Sequence, residues 1–522
     1  MESRNIILRD ASPELVARIH GCWLGKAIGG TLGTPHEGKP GPLELSFYDP
    51  EPKGILPNDD LDLQLVWLHH LQETGALSVT PHILSKAWQQ YVEFPYDEYA
   101  VCLRNTAYGF EDHWLGAFDN WFSECMGAAI RSEMWACLAP GQPERAAGFA
   151  WSDAVCDHAG DGVWAEIFFA ALQSAAFGET DIERLLDSAL DFLPASSRVR
   201  RAIADTRTWW RQKRDWRAVR ALVLEAYGED NFTDVAQNLA FTVLGWLAGA
   251  GDFGDSICIA ANCGQDTDCT AATLGALLGI LSPATIPAKW KAPVGDKIVL
   301  SPQIVRMSPP EDIRQLTELT LGIRRQLEGF TPEIGEILPR EPASAEHSPI
   351  KIAVRYGWSE DTGLLTQSKA PSTSSEQLPF KADLPGHWIR RDHGDFRGPI
   401  MILSTRFFLD EELSVHVCGW SQTKTAVWVD GSKAGTVPAD IVCSHCKLGA
   451  PSFHRGGSGV FEPSHGLRKG WHDLTIAWER PKHGSWADLA IGIARAATNQ
   501  WLPESLTKHH NSALNEELTV VN

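Results

Sequence analysis

The chain has 522 residues, 43% of them hydrophobic, long enough for two to four domains at about 150 residues each. Lys and Arg total 46 against 66 Asp and Glu, a net charge of −20, which argues against sequence-independent binding to nucleic acid or an anionic membrane. Eleven cysteines without a repeated spacing suit the reduced thiols of a cytoplasmic protein rather than a disulfide framework.

The opening MESRNIILRDASPELVARIHG has no basic segment followed by an apolar core and cleavage site, so no secretory signal is expected. RIHGCWLGKAIGGTLG (18–33) carries small residues at a spacing of three to four, a pattern that lets two helices approach closely. LDLQLVWLHHLQETG (61–75) is apolar nearly all round and ends at a glycine, as a buried helix does. GVWAEIFFAALQSAAFG (162–178) and NLAFTVLGWLAGAGDFGDSICIAANCG (238–264) continue the helical pattern, and 311–330 reads as a last helix. The longest apolar run, AATLGALLGIL (271–281), is too short to span a bilayer.

EPASAEHSP (341–349) reads as a linker. Beyond it ELSVHVCGW, TAVWVDGSKAGTV and DLTIAWER alternate apolar and polar residues, as half-buried strands do, and Asp430-Gly431 marks a hairpin turn. The expected organisation is therefore multidomain: an all-helical domain over 1–340, a linker over 341–349, a β-sandwich over 350–505 and a tail over 506–522. Cys443-Ser-His-Cys446 is a CxxC without a second pair, a weak zinc signal.

Two stretches concentrate acid. PNDDLDLQL (57–65) sets Asn58 before Asp59, Asp60 and Asp62, and CGQDTDCTAA (263–272) sets Asp266 and Asp268 at the head of another apolar helix. One aspartate in each is accounted for by an N-cap and the positive end of the helix dipole. Capping does not require two at i and i+2 twice over. Burying several carboxylates without counter-charge is costly, and the neighbouring sequence supplies no lysine or arginine. Oxygen ligands of this kind suit a hard divalent cation, Mg²⁺ or Mn²⁺.

These clusters, in this order, resemble those of the ADP-ribosylglycohydrolase family, which carries Thr/Ser-Asp-Asp near the start and Gly-Asp-Thr-Asp-Thr near the end of one all-helical domain. IHGCWLGKAIGGTLGTPHEG (19–38), the segment 127–172 with Arg131 and His158, and GDFGDSICIAANCGQDTDCTAATLGALLG (251–279) resemble its opening, central and final motifs. The resemblance implies a glycosidase that hydrolyses an ADP-ribosyl or related ribosyl bond with two divalent cations, Mg²⁺ or Mn²⁺. It implies Asn58, Asp59, Asp60, Asp266, Asp268 and Cys269 as metal ligands. Glu37, with Asp59 and Asp60, would be catalytic, Glu37 as general acid or base. Ser123, Glu124, Gly127 and His158 would bind substrate, with Asp161 a weaker candidate.

The chain departs from the family pattern at four places. Asn58 stands where a hydroxyl residue is usual, Cys269 where a second threonine is, Gly30 where aspartate is frequent, and Met126 where asparagine is common. The metal side is kept and the substrate side altered. Two alternatives follow: a hydrolase of a different glycoside or nucleoside on the same fold, and a non-catalytic binding or structural homologue. The expected partner is a small-molecule or protein-linked ribosyl substrate, with neither membrane nor nucleic acid. The β-domain resembles appended sandwiches of glycoside-processing enzymes, where a short loop binds sugar or the module packs on the catalytic domain. Trp388, Trp420, Trp428, Trp471, Trp478 and Trp486 are candidates to stack on a sugar face, but core or interface packing is the favoured reading, since a tryptophan at alternating spacing in a strand usually points inward.

Overall fold

The computed structural model describes residues 11–94, 97–229, 231–421, 423–437, 464–483, 486–496 and 502–507. The CxxC pair and nearly all of the tail lie outside them, as do the side chains of Trp420 and Trp486. Two compact units emerge. The first comprises the chain to Glu93, Phe110–Ala117 and Ser123–Arg340; the second comprises Phe94–Gly109, Phe118–Phe122 and the chain from Glu341 onward.

The first unit is helical. Helix α1 (Pro13–Gly33) starts at Ser12, whose hydroxyl accepts the Leu15 N–H, with proline in its first turn; both are strong start signals. Helix α2 (Asp59–Thr74) is capped by Asn58 and stopped by left-handed Gly75, the stop the sequence predicts. The expected helical run 238–264 is broken in two, α3 (Val235–Gly249) and α4 (Phe253–Asn262), because Ala250 and Gly251 take positive φ between them. Helix α5 (Thr267–Leu281) follows.

The closest packing in this unit joins α1 to α5, antiparallel. A Cβ on Gly25 would lie 2.0 Å from the Gly275 carbonyl oxygen, one on Gly29 2.1 Å from that of Ala271, and one on Gly33 2.3 Å from the Asp268 Cα. Only bare backbones fit at this separation, which explains the small residues every fourth position along α1. The pairing sets the C-terminal end of α1 against the N-terminal end of α5.

Among the described residues the second unit has ten antiparallel strands: β1 (Ile352–Ser359), β2 (Phe380–Leu384), β3 (Trp388–Asp392), β4 (Ile400–Leu409), β5 (Leu413–Ser421), β6 (Thr425–Val429), β7 (Ser432–Val437), β8 (Ser464–Leu467), β9 (Gly470–Glu479) and β10 (Trp486–Arg495). They form a sheet in the order β2-β1-β4-β9-β6-β7 and another in the order β3-β10-β5-β8. Val354, Leu403, Ile476 and Trp478 of the first share one core with Val417, Leu489 and Ile493 of the second, the arrangement of a sandwich. Asp430 and Gly431 take positive φ at the β6–β7 hairpin, as the sequence signal requires. Trp388, Trp428 and Trp478 are buried.

A helical segment belongs to this β unit. Arg104, on the helix Asp97–Ala107, sits 3.2 Å from Asp119. Asp119 also accepts the backbone N–H groups of His387 and Trp388 at 2.7 and 2.9 Å. Arg104, Asp119 and His387 are fully enclosed.

Candidate metal centre

The Asn58 amide oxygen accepts the Asp60 N–H at 2.7 Å, fixing the first turn of α2. Its amide nitrogen donates to Thr34 Oγ1 and to Asp268 Oδ2, each at 3.0 Å. Asn58 thus ties the two acidic helix starts together across 210 residues. From the other side, Thr267 donates to the Gly33 carbonyl at 2.8 Å. The loops beyond pair backbone to backbone, Gly38 N–H to Gln265 O at 2.9 Å and Gln265 N–H to Lys39 O at 2.7 Å. That pairing brings Glu37 alongside Asp266.

The result is one acidic cluster. Asp59, Asp60 and Asp268 each offer a carboxylate oxygen within 4.8 Å of the others, and Asp266, Asp268 and Cys269 do the same with two carboxylates and a thiol. Asp268 belongs to both groups. Asp60 and Asp266 are 1% exposed, and Asp60 Oδ2 and Asp266 Oδ1 have no hydrogen-bond partner among the described residues. Burial raises the Asp266 carboxyl well above the usual range, and Asp268 and Glu37 raise it further. The Cys269 thiol is pushed up by burial and by Asp266, Asp60 and Asp268. Unpartnered oxygens that face other carboxylates in a dry site are what a divalent cation satisfies. The residues present fit one.

The sequence offers no nearby cation for these aspartates; the fold corrects this. Lys26, from the middle of α1, donates to Asp60 Oδ1 at 2.7 Å, to the Ile130 carbonyl at 2.8 Å and to Glu133 Oε1 at 3.1 Å. Burial alone would lower the Lys26 ammonium, but Asp60 and Glu133 hold it above the ordinary lysine range. Burial raises the Asp60 carboxyl against the pull of Lys26, with Asp59 adding to the rise. Gln64 joins this network through Glu133 at 3.0 Å and the Met134 N–H at 2.8 Å. One lysine still leaves the cluster acidic. Lys26, Gln64 and Glu133 escape sequence reading, although a lysine in the glycine-rich, apolar second half of α1 was the available sign. Asp62 turns elsewhere: it accepts the Ser301 N–H at 3.0 Å.

The expected substrate residues form a second group. The His158 Nε2 accepts the Ala128 N–H at 3.2 Å while Nδ1 lies 2.8 Å from Asp157, so the protein itself engages both ring nitrogens. Gly127 O accepts from Arg131 at 2.6 Å, and Arg131 pairs with Asp153 and Asp157. Ser123 is buried and its carbonyl accepts the Ala159 N–H. Glu124 accepts the Asp161 N–H at 3.1 Å and lies 3.3 Å from Arg198. Asp161 accepts the Arg198 N–H at 2.9 Å, at the start of the helix that Ser197 caps. The turn Ala129–Arg131 links the two groups, because Lys26 reaches the Ile130 carbonyl from the Asp60 side. Met126 is buried, and Gly30 leaves room for a Cβ, with Asn58 Nδ2 3.5 Å away.

Fold and site define a helical unit that closes two distant acidic helix starts into one buried cluster of carboxylates and a thiol, a donor set that fits a metal ion. The family model for ADP-ribosylglycohydrolase matches residues 11–327, more than half of the chain, and the chain belongs to that family. A solved structure described as an "ADP-ribosylglycohydrolase-related protein complex" is similar at 21% identity and a TM-score of 0.44, over 60% of this chain and 100% of that one. No curated protein matches the chain. Among the described residues no helix is long and apolar enough to cross a membrane.

Proposed function

We propose that the protein hydrolyses the glycosidic bond of an ADP-ribosyl or related ribosyl substrate at a site that holds two divalent cations, Mg²⁺ or Mn²⁺. The observation that carries the reading is the meeting of Asp59 and Asp60 with Asp266, Asp268 and Cys269 through the shared Asp268. Those five residues would hold the ions, and Asn58 positions Asp60 and Asp268 through its amide. When bound, the ions would neutralise the carboxylates and orient ribose hydroxyls and water.

The remaining work falls to the chain. Lys26 fixes the rotamer of Asp60 and keeps its outer oxygen turned to the cluster. Glu37, beside Asp266, serves as the proton carrier. The oxygen of a water bonds to the anomeric carbon as Glu37 takes its proton. The bond from that carbon to the acceptor breaks, and the acceptor leaves with the electron pair and the proton that Glu37 gives up, which returns Glu37 to its carboxylate. The turn from Ser123 to Arg131, braced by Arg131 and His158, would form the wall on which the rest of the substrate lies.

Because the protein itself engages both His158 nitrogens, a second reading is a different glycoside or nucleoside hydrolysed at the same metal centre. Incubating the protein with ADP-ribosyl arginine, ADP-ribosyl serine and 1″-O-acetyl-ADP-ribose, with Mg²⁺, Mn²⁺ or EDTA, separates the two. Cation-dependent release of ADP-ribose from one of them is the expected result. Release from none while cation is bound overturns the ADP-ribosyl reading and favours the second.

A further inference from the structure

The loop that carries Glu37 is tied to the loop that carries Asp266 well beyond the two backbone bonds beside those residues. Asn262, the last residue of α4, accepts the Leu43 N–H on its carbonyl at 2.8 Å and the Leu45 N–H on Oδ1 at 2.6 Å. Its amide nitrogen donates to the Leu45 carbonyl at 2.9 Å. Gly41 and Gly264, both at positive φ, meet backbone to backbone: a Cβ on Gly41 would lie 2.8 Å from the Cys263 carbonyl oxygen, and one on Gly264 2.6 Å from the Gly41 nitrogen. At this contact one carbonyl from each loop accepts from a single side chain. Arg220, on the helix Trp216–Tyr227, donates from Nε to the Cys263 carbonyl at 2.6 Å and from a terminal nitrogen to the Pro40 carbonyl.

We propose that Arg220 is a positioning residue for the hydrolysis: its guanidinium rivets the loop after α1 to the loop before α5 and so fixes how far Glu37 stands from Asp266. The inference rests on the hydrolase reading. Arg220 is 8% exposed, and among the described residues no carboxylate pairs with it. A cation buried without a counter-charge is costly. This one has two carbonyl dipoles instead, with its Cζ 5.9 Å from the centroid of the Phe241 ring. From the rivet to the reacting groups the chain is short. Gln265, between Gly264 and Asp266, takes a φ of 65°, a left-handed conformation that favours glycine. The bonds to Gly38 and Lys39 hold it there, and Glu37 directly precedes Gly38. With Pro40 and Cys263 released, Gln265 can relax, and the spacing of Asp266 and Glu37 changes with it. Asp60 and Asp268 keep their places, because Lys26 and Asn58 hold them from the other side. A lysine has a single nitrogen and cannot reproduce the rigid fork that spans both carbonyls. The same helix touches the loop again at the surface, where Arg217 pairs with Glu44 at 2.7 Å.

Steady-state kinetics of the full chain in saturating Mn²⁺, with ADP-ribosyl arginine, ADP-ribosyl serine and 1″-O-acetyl-ADP-ribose, test this alongside hydrogen exchange. Arg220→Ala is expected to lower kcat about a hundredfold, the cost of misplacing a reacting group by about 1 Å, with KM kept. The Gly38 and Gln265 amides should exchange faster. Ethylguanidine, the fragment removed, should restore part of kcat, which a misfolded variant would not regain. Arg220→Lys should also lose kcat, and it decides the matter if Arg220→Ala does not fold. Arg217→Ala, which breaks only the surface pair, should match the parent. Unchanged kcat, a KM that rises while kcat is kept, unchanged amide exchange, or no response to ethylguanidine would each overturn the role. A parent that cleaves none of the three substrates fails the hydrolase reading and removes this role with it; a parent that cleaves one while both Arg220 variants match it fails the role alone.

Discussion

At the residue scale the site is a conflict between burial and charge. Asp266 is the sharpest case, raised by burial, Asp268 and Glu37 together. Asp266→Asn removes one repelling charge, so the protein in EDTA is expected to unfold at an equal or higher temperature while losing Mn²⁺ affinity. A structural aspartate would instead lower the unfolding temperature in EDTA. Glu37→Gln should keep cation binding and lose about 10²–10⁴-fold in kcat, the usual contribution of a proton carrier. Asp62, next to the cluster but turned to Ser301, gives a pH test to be run in EDTA. Burial pushes its carboxyl up to about 8, against the Ser301 N–H that lowers it. A carboxyl whose folded pKa is raised stabilises the fold below the unfolded value near 4, and that contribution is lost as pH rises towards 8. Asp62→Asn, which still accepts from Ser301, should therefore gain stability relative to the parent by up to about 1.4 kcal/mol per pH unit across that window. A difference that is flat with pH contradicts the assignment. The aspartates were legible because helix caps are local signals. Lys26 was not, since its pairing with Asp60 exists only once α1 and α2 pack.

At the scale of elements, the contact between α1 and α5 sets the geometry of the site. A Cβ at Gly25 would press into the Gly275 carbonyl, and neither backbone can yield. Gly25→Ala is expected to cost about 1–3 kcal/mol, the range for overpacking a tight contact, and to weaken cation binding by moving Asp268 away from Asp59 and Asp60. Gly30→Ala, with ordinary space around it, is the control and should change neither. Chemical denaturation alongside Mn²⁺ titration measures both. The small-residue spacing of α1 announced a close helix neighbour, but nothing in a single sequence says that the neighbour is α5. The break at Ala250 and Gly251 was also missed, although Gly251 and the capping Asp252 mark it, because the apolar helical pattern resumes directly beyond them.

At the scale of the whole molecule, the division into units does not follow the change in sequence period. The helical pattern continues to about residue 340, yet 94–109 and 118–122 cluster with the strands, because Asp119 finds its partners at His387 and Trp388. Helical periodicity reports only that a face is apolar, and helix Asp97–Ala107 buries its face in the β unit. Ending the chain at Arg340 would leave Arg104 and Asp119 without His387, so limited proteolysis of that shortened chain should cut within 94–122, where the full chain resists. The central claim is that folding gathers carboxylates from both ends of the helical unit around shared cations. Equilibrium titration of Mn²⁺ into the EDTA-stripped full chain, followed by its electron paramagnetic resonance, tests it most directly. Two magnetically coupled ions per chain, lost in Asp268→Asn, are predicted. Absence of bound Mn²⁺, or binding that Asp268→Asn leaves intact, would contradict it.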